Sequence, residues 1–189
     1  MIEIWQGCSL KEFKNNVDKP LFDKFCRHCG NEHPPHDAAI LCEVCNHHTW
    51  INPLPVAVWA QPVHDKRTGE FGILIGNRLI EPHVGKWNLI GGFMEVTDPS
   101  VEAGAAREFF EETGIAINPE GHVFHTYGSG RAILSFVLGH TVMDMEEIEA
   151  SFVPNSECDQ IRMVTAPETL CFISHTQALK KALEIILEP

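Results

Sequence analysis

The sequence predicts an α/β sandwich preceded by a small cysteine-bearing module. Three observations carry this reading. Apolar, strand-like runs at 56–60, 71–76, 121–126 and 132–138 flank a stretch that opens on two glycines and continues as a helix. An amphipathic helix closes the chain at 174–188, where Ala178, Leu179, Ala182, Ile185 and Ile186 recur near helical spacing. Two Cys-x-x-Cys pairs precede all of the strands. A chain of 189 residues can hold one ordinary core and one small module. The expected organisation is an N-terminal segment at 1–21, the cysteine module at 22–51 and the main domain at 52–189.

Composition bounds the function. Apolar residues make up 44% and charged residues 21%, as in a globular protein. No apolar run reaches the length of a membrane span, and the start, Met1-Ile2-Glu3-Ile4-Trp5, lacks the pattern of a signal peptide. A cytoplasmic setting and no membrane partner are expected. The net charge of −12 argues against a broad grip on a nucleic-acid backbone, which needs clustered Lys and Arg. It leaves an anionic small substrate open, because bound cations invert the local sign of a site.

Along the chain, Ser9 to Phe13 can start a short helix. Cys26-Arg27-His28-Cys29-Gly30 and Cys42-Glu43-Val44-Cys45 then place two knuckles twelve residues apart. Four thiolates brought together in this way suit a closed tetrahedral metal centre, and the segment is too small to fold on an apolar core of its own. The redox alternative needs a single pair beside a βαβ pattern, which is missing here. Structural Zn²⁺ on Cys26, Cys29, Cys42 and Cys45 is therefore expected, with His33, His36, His47 and His48 as surface residues or donors to the ligands. This segment resembles a zinc ribbon. Cys8, Cys158 and Cys171 are isolated and read as buried, inert thiols.

Asn52-Pro53-Leu54-Pro55 marks a stiff boundary. Val56 to Ala60 reads as a buried strand, Asp65 to Gly69 as a turn and Phe71 to Gly76 as the returning strand, with Arg78 at its end. Further on, 121–126 and 132–138 form a hairpin about Tyr127-Gly128-Ser129-Gly130. Met143 to Pro154, with Asp144, Glu146, Glu147 and Glu149, reads as a loop, and Ile161 to Val164 as one more strand.

Residues 91–115 hold the chemistry. Gly91 and Gly92 permit a sharp bend or close approach. Asp98 is the expected N-cap, Pro99 the first helical residue and Gly114 the C-terminal stop. Glu108, Glu111 and Glu112 fall at i, i+3 and i+4, while Val101, Ala105 and Phe109 mark a core-facing stripe. On spacing alone, the three carboxylates are either a solvated acidic face or a seat for hard divalent cations.

The run Arg107-Glu108-Phe109-Phe110-Glu111-Glu112-Thr113-Gly114-Ile115 resembles the right half of the Nudix hydrolase box in full. The left half departs from it. Counting from Gly92 puts Asp98 where the family has Glu, and the loop to Arg107 is one residue longer. Trp87-Asn88-Leu89-Ile90 is similar to the family's lead-in, with Ile90 in place of proline. The resemblance spans about 52–189 and implies an α/β/α sandwich with a mixed sheet. It also implies Mg²⁺ or Mn²⁺ held by Glu108, Glu111, Glu112 and the Gly91 carbonyl, and an Arg107 that pairs with an acid and orients the helix. Arg78 would face the substrate phosphates. For the general base it offers Glu108 or a late-loop acid. Gln160 stands where relatives carry that acid, so Glu157 is the nearest replacement, with Glu146, Glu147 and Glu149 as competitors.

A ribbon followed by such a domain resembles NADH pyrophosphatases and a group that hydrolyses FAD or ADP-ribose. The S-Q-P-W-P-F-P string of the first group is absent, and Val153-Pro154-Asn155-Ser156 is not close to it. The expected function is hydrolysis of the diphosphate in a nucleoside diphosphate derivative, FAD or ADP-ribose before NADH, releasing AMP. Two alternatives remain: a non-catalytic sensor of ADP-ribose-like ligands, and a nucleic-acid module acting on capped RNA. A homodimer is left open.

Overall fold

A computed structural model describes residues 24–34, 39–50, 52–129 and 132–187. The expected helix at Ser9 to Phe13, Cys8 and His36 lie outside these residues. The chain divides into two compact units, Met1–Pro53 and Leu54–Pro189.

In the first unit, each cysteine pair is closed by a residue in left-handed conformation. Gly30 has φ 75° and donates to the Cys26 carbonyl at 2.9 Å; Asn46 has φ 56° and donates to the Cys42 carbonyl at 2.8 Å. Asn is one of the few non-glycine residues that adopts this region readily. A short antiparallel pair, β1 (Ile40–Leu41) and β2 (His48–Thr49), brackets the second knuckle. His28 and His47 are exposed and stack at 5.4 Å between ring centroids. His33, read as a surface residue or a donor to the ligands, is buried, and its amide donates to the Lys24 carbonyl at 2.9 Å.

The second unit holds two mixed sheets. In one, the order is β10 (Met143–Asp144), β4 (Pro62–Asp65), β5 (Glu70–Arg78) and β11 (Cys158–Val164), with β6 (Trp87–Asn88) also on β5. In the other it is β7 (Ile90–Phe93), β3 (Leu54–Ala60), β9 (Ala132–Gly139) and β8 (Gly121–Gly128). β3 runs parallel to β9 and β10 parallel to β4; the remaining pairs are antiparallel. The mixed pairing expected of the sandwich is thus present, spread over two sheets.

Helices cover both sides. Successive strand residues point to opposite faces, and β3 shows the result. Val58 and Ala60 join Phe136 and the inner face of α3 (Ile173–Leu187), including Ala178, Leu179 and Ala182. Ala57 and Trp59 join Leu74, Val137 and Ala105 and Phe109 of α1 (Val101–Thr113), with Ile148 of α2 (Met145–Ser151). A strand buried on both faces reads as an unbroken apolar run, as residues 56–60 do.

Two elements differ from expectation. α2 occupies the stretch read as a loop. Asp144 caps it by accepting from the Glu146 and Glu147 amides, and Met145 and Ile148 are buried beneath it. β4 escaped notice because it begins at Pro62, a residue confined in sheets to strand starts and edges. Glu149 and Glu146 are engaged by Arg67 on the β4–β5 turn, at 3.0 and 4.0 Å. Cys158 is buried, as read, but Cys171 is only half-buried. Among the described residues no helix is long and apolar enough to cross a membrane.

Candidate active site

The site is built where β7 meets α1. Ser100, not Asp98, caps α1: its hydroxyl accepts from the Ala103 amide at 3.1 Å, and Pro99 precedes the helix. Asp98 is taken by a tertiary partner. Its two carboxylate oxygens accept from Arg107 Nε and Nη2, each at 3.1 Å, and from the Glu95 amide at 2.8 Å. The Arg107 guanidinium holds the Asp98 carboxyl below the usual carboxylate range. Arg107 Nη2 also donates to the Phe93 carbonyl, and Nη1 to Glu108 Oε1 and Glu111 Oε2, both at 2.9 Å. One guanidinium therefore joins the loop after the glycines to two helix acids. Gly114 ends the helix at φ 74°, donating to the Phe110 carbonyl at 2.7 Å.

The paired glycines are needed for close approach. Gly91 pairs with Val58, has φ 155°, and a Cβ there would meet Val58 Cα at 2.5 Å. A Cβ on Gly92 would crowd the Glu108 carboxylate and push that side chain away. The Gly91 amide donates to Glu112 Oε1 at 3.1 Å. Two helix carboxylates, Glu108 and Glu112, are thus laid against the glycine backbone. Glu111 is drawn outward to Arg107 and its side chain is half exposed.

The electrostatics are those of crowded acids. Burial raises the Glu108 carboxyl above its ordinary range; Arg107 opposes this, and the charges of Glu111 and Glu157 add to it. Burial pushes Glu112 up to about 8 against the pull of the Gly91 amide, with further push from Glu108 and Glu157 and a smaller counter-pull from Arg78. Glu157 and Arg78 are therefore both close enough to be felt at the helix acids.

Asn155, which the sequence did not single out, explains the placement of Glu157. Its amide group donates to the Glu111 carbonyl at 2.8 Å, and its side-chain oxygen accepts from the Glu157 and Cys158 amides at 2.8 and 3.0 Å. An Asx-type turn of this kind is the signal that could have flagged it. The Leu79 amide donates to the Glu157 carbonyl at 2.8 Å, so the same loop is tied to the end of β5 next to Arg78.

Among the described residues only the four cysteines bring three or more His, Cys, Asp or Glu ligand atoms close together as they stand; the helix acids offer oxygen donors but are partly held by Arg107. Oxygen donors from Glu108, Glu112 and the glycine strand suit a hard divalent ion, which would relieve the like-charge crowding. In the first unit the sulfurs of Cys26, Cys29, Cys42 and Cys45 lie within 4.8 Å of one another, with Cys26–Cys45 and Cys29–Cys42 at 3.6 Å. Tetrahedral metal–sulfur bonds of about 2.3 Å need sulfurs about 3.8 Å apart. The Cys29 and His28 amides hold Cys26 down at about 6, and those of Cys45 and Val44 lower Cys42. Burial pushes Cys45 up to about 12 beside the other sulfurs, a cost that a shared dication removes.

The sandwich thus sets helix carboxylates against a paired-glycine strand, with Arg78 felt beside them. The NUDIX domain model matches residues 53–184, and the chain belongs to that family. Among solved structures it is similar to a NUDIX hydrolase from Nitrosomonas europaea, at 22% identity and TM-score 0.61, over 86% of this chain and 91% of that one. A MutT/nudix family protein from Enterococcus faecalis matches at 16% identity and TM-score 0.61, over 74% of this chain and 64% of its own length. The NUDIX domain of Shewanella oneidensis NrtR, in a cocrystal with ADP ribose, matches at 18% identity and TM-score 0.52, over 71% of this chain and 89% of that one. At these identities the likeness speaks for the fold. None of the curated proteins compared with the chain matches it.

Proposed function

We propose that the chain hydrolyses the diphosphate linkage of a nucleoside diphosphate derivative with Mg²⁺ or Mn²⁺, FAD or ADP-ribose before NADH, and releases AMP. The observation that carries this is the packing of Glu108 and Glu112 against the Gly91–Gly92 backbone beside Arg78. When bound, divalent cations neutralise phosphoryl oxygens and acidify water. Glu108, Glu111, Glu112 and the Gly91 carbonyl would hold them. Arg107 orients Glu108 and Glu111 through its shared Nη1. Glu157, or Glu108, takes the proton of the attacking water, whose oxygen joins one phosphorus as the bridging oxygen leaves with the other. Arg78 binds the diphosphate oxygens. Glu146 and Glu149 are less suited to the base role, being held by Arg67. A cytoplasmic setting belongs to the same proposal.

A panel of ADP-ribose, FAD and NADH with Mg²⁺, scored for AMP, tests this reading. ADP-ribose or FAD should be turned over faster than NADH. The sensor alternative draws on the ADP-ribose cocrystal of the NrtR domain. Tight ADP-ribose binding with no turnover of any member would establish it in place of the enzyme.

Metal binding should also be linked to pH. Glu112 sits at about 8 in the folded, metal-free protein against 4.5 ordinarily. Its protonated form stabilises the fold fully below pH 4.5, and this contribution is lost as pH rises through 8. The melting temperature of metal-free protein should fall across this window and be recovered by Mg²⁺, whose affinity should rise up to about tenfold per pH unit. Calorimetry from pH 5.5 to 8 checks this; a flat Mg²⁺ affinity would contradict it.

We also assign Zn²⁺ to the four cysteines. Metal analysis should find about one equivalent. Cys42→Ser should release it and unfold the first unit, because metal binding supplies much of the folding free energy of so small a segment.

A further inference from the structure

Acids outnumber Lys and Arg by 26 to 14 in this chain, so an arginine readily finds a carboxylate. Arg67 pairs with Asp65, Glu146 and Glu149, Arg107 with Asp98, Glu108 and Glu111, and Arg162 with Glu168. Arg78 differs: among the described residues it has no carboxylate at ion-pair distance. Its partners are neutral. Nε donates to the Pro82 carbonyl at 3.1 Å, Nη2 reaches the Ile80 carbonyl at 3.5 Å, and Cζ lies over the Phe172 ring, 5.2 Å from the centroid. The charge is nonetheless felt at Glu112, among the helix acids.

Both sides of this contact are fixed. The Arg78 amide donates to the Lys86 carbonyl at 2.9 Å and its carbonyl accepts from the Gly85 amide at 2.7 Å. Phe172 immediately precedes α3, belongs to neither apolar core and is half-buried. The Cys171 amide donates to the Trp87 carbonyl at 3.0 Å, and the Phe172 carbonyl accepts from the Thr176 amide at 3.0 Å and hydroxyl at 3.1 Å. His83 meets the ring edge-on at 5.2 Å and 73°, and His175 packs on it at 5.2 Å and 49°. Burial pushes His175 down to about 3, with the charge of Arg78 adding to this, so the support beneath the ring is neutral. Covered on these sides, the ring acts on its neighbours.

A carboxylate would fix a guanidinium equally well but would also compensate its charge. A π-face and two carbonyls attract the cation and leave that charge available to an anion. A long side chain that is already ordered also loses less freedom when it takes a ligand. We propose that Phe172 is a positioning residue: its ring, with the carbonyls of the 79–86 loop, holds Arg78 ordered and unpaired, ready aligned for the diphosphate of the substrate. This rests on the function proposed above; Phe172 itself touches no substrate.

Two measurements test it. Without ligand, the Nε–H resonance of Arg78, identified by its loss in Arg78→Lys, should stand apart from those of the other arginines because of the ring beside it. It should move to the position of an exposed arginine in Phe172→Leu and Phe172→Met, and stay apart in Phe172→Tyr. With Mg²⁺, ADP-ribose binding is read by calorimetry in a double-mutant cycle. Phe172→Leu should weaken binding about three- to thirtyfold where Arg78 is present, and by less than about twofold in an Arg78→Ala background. Phe172→Tyr, which keeps the π-face, should bind as the parent does. Melting curves show that each variant is folded, with Phe172→Met replacing Phe172→Leu in the cycle where leucine is not tolerated. Equal weakening in both backgrounds, no weakening in either, or a resonance indifferent to residue 172 overturns the assignment. A ring-dependent Arg78 resonance in a protein that neither binds nor turns over ADP-ribose, FAD or NADH sinks the function proposed above and leaves the clamp standing.

Discussion

Glu112→Gln is expected to lower kcat about a thousandfold, equivalent to about 4 kcal/mol of barrier, while the protein stays folded. The amide oxygen of Gln can still accept the Gly91 N–H that Glu112 accepts now. What is removed is a charge that burial and two neighbouring acids already disfavour. The metal-free variant should therefore melt no lower than the parent above pH 8, and its Mg²⁺ affinity should lose the part of its pH dependence that Glu112 supplies, leaving that of Glu108. Steady-state kinetics with a melting curve measures both. An active variant would mean that the helix carboxylates do not hold the catalytic cations.

Asp98→Ala should cost about 2–3 kcal/mol of stability and about tenfold in kcat. The Asp98 side chain is 6% exposed and Arg107 22%, so the substitution leaves a mostly buried guanidinium without its main partner. Arg107 would then be free to move with Glu108 and Glu111, the acids on its Nη1. The depressed Asp98 carboxyl gives the sign of the pH effect: its contribution is present above the ordinary carboxylate range and is lost as pH falls through the lowered value. Asp98→Asn should show an intermediate loss, since it keeps the shape and drops the charge. Denaturant unfolding of the two variants checks the ranking; full stability and activity in Asp98→Ala would remove Arg107 from the orienting role.

These two residues also show how far the sequence could be read. α1 was legible because its apolar stripe, its acids and Gly114 all agree on one helix. Its start was misplaced because Asp98, a good cap locally, has a stronger partner in Arg107 that spacing alone does not reveal. The same pairing answers the extra residue in the loop: a shorter acid on a longer loop still reaches the guanidinium. α2 was hidden by its acids, which outnumber the two apolar residues, Met145 and Ile148, that pack it down. Glu157 could be reached only by elimination, since what holds it is Asn155 reaching to a carbonyl at the far end of another element. The four cysteines needed no such help, because a knuckle is a local structure and its spacing is its geometry.

The loop around Asn155 is fastened at two ends, to the last turn of α1 and to the residue that follows Arg78. It is a yoke. The acid it carries and the arginine at the end of β5 cannot shift independently, so an insertion in this loop acts on both at once. Engineering that tunes substrate choice at Arg78 will be epistatic with any change at 154–157, and the two segments are best varied together.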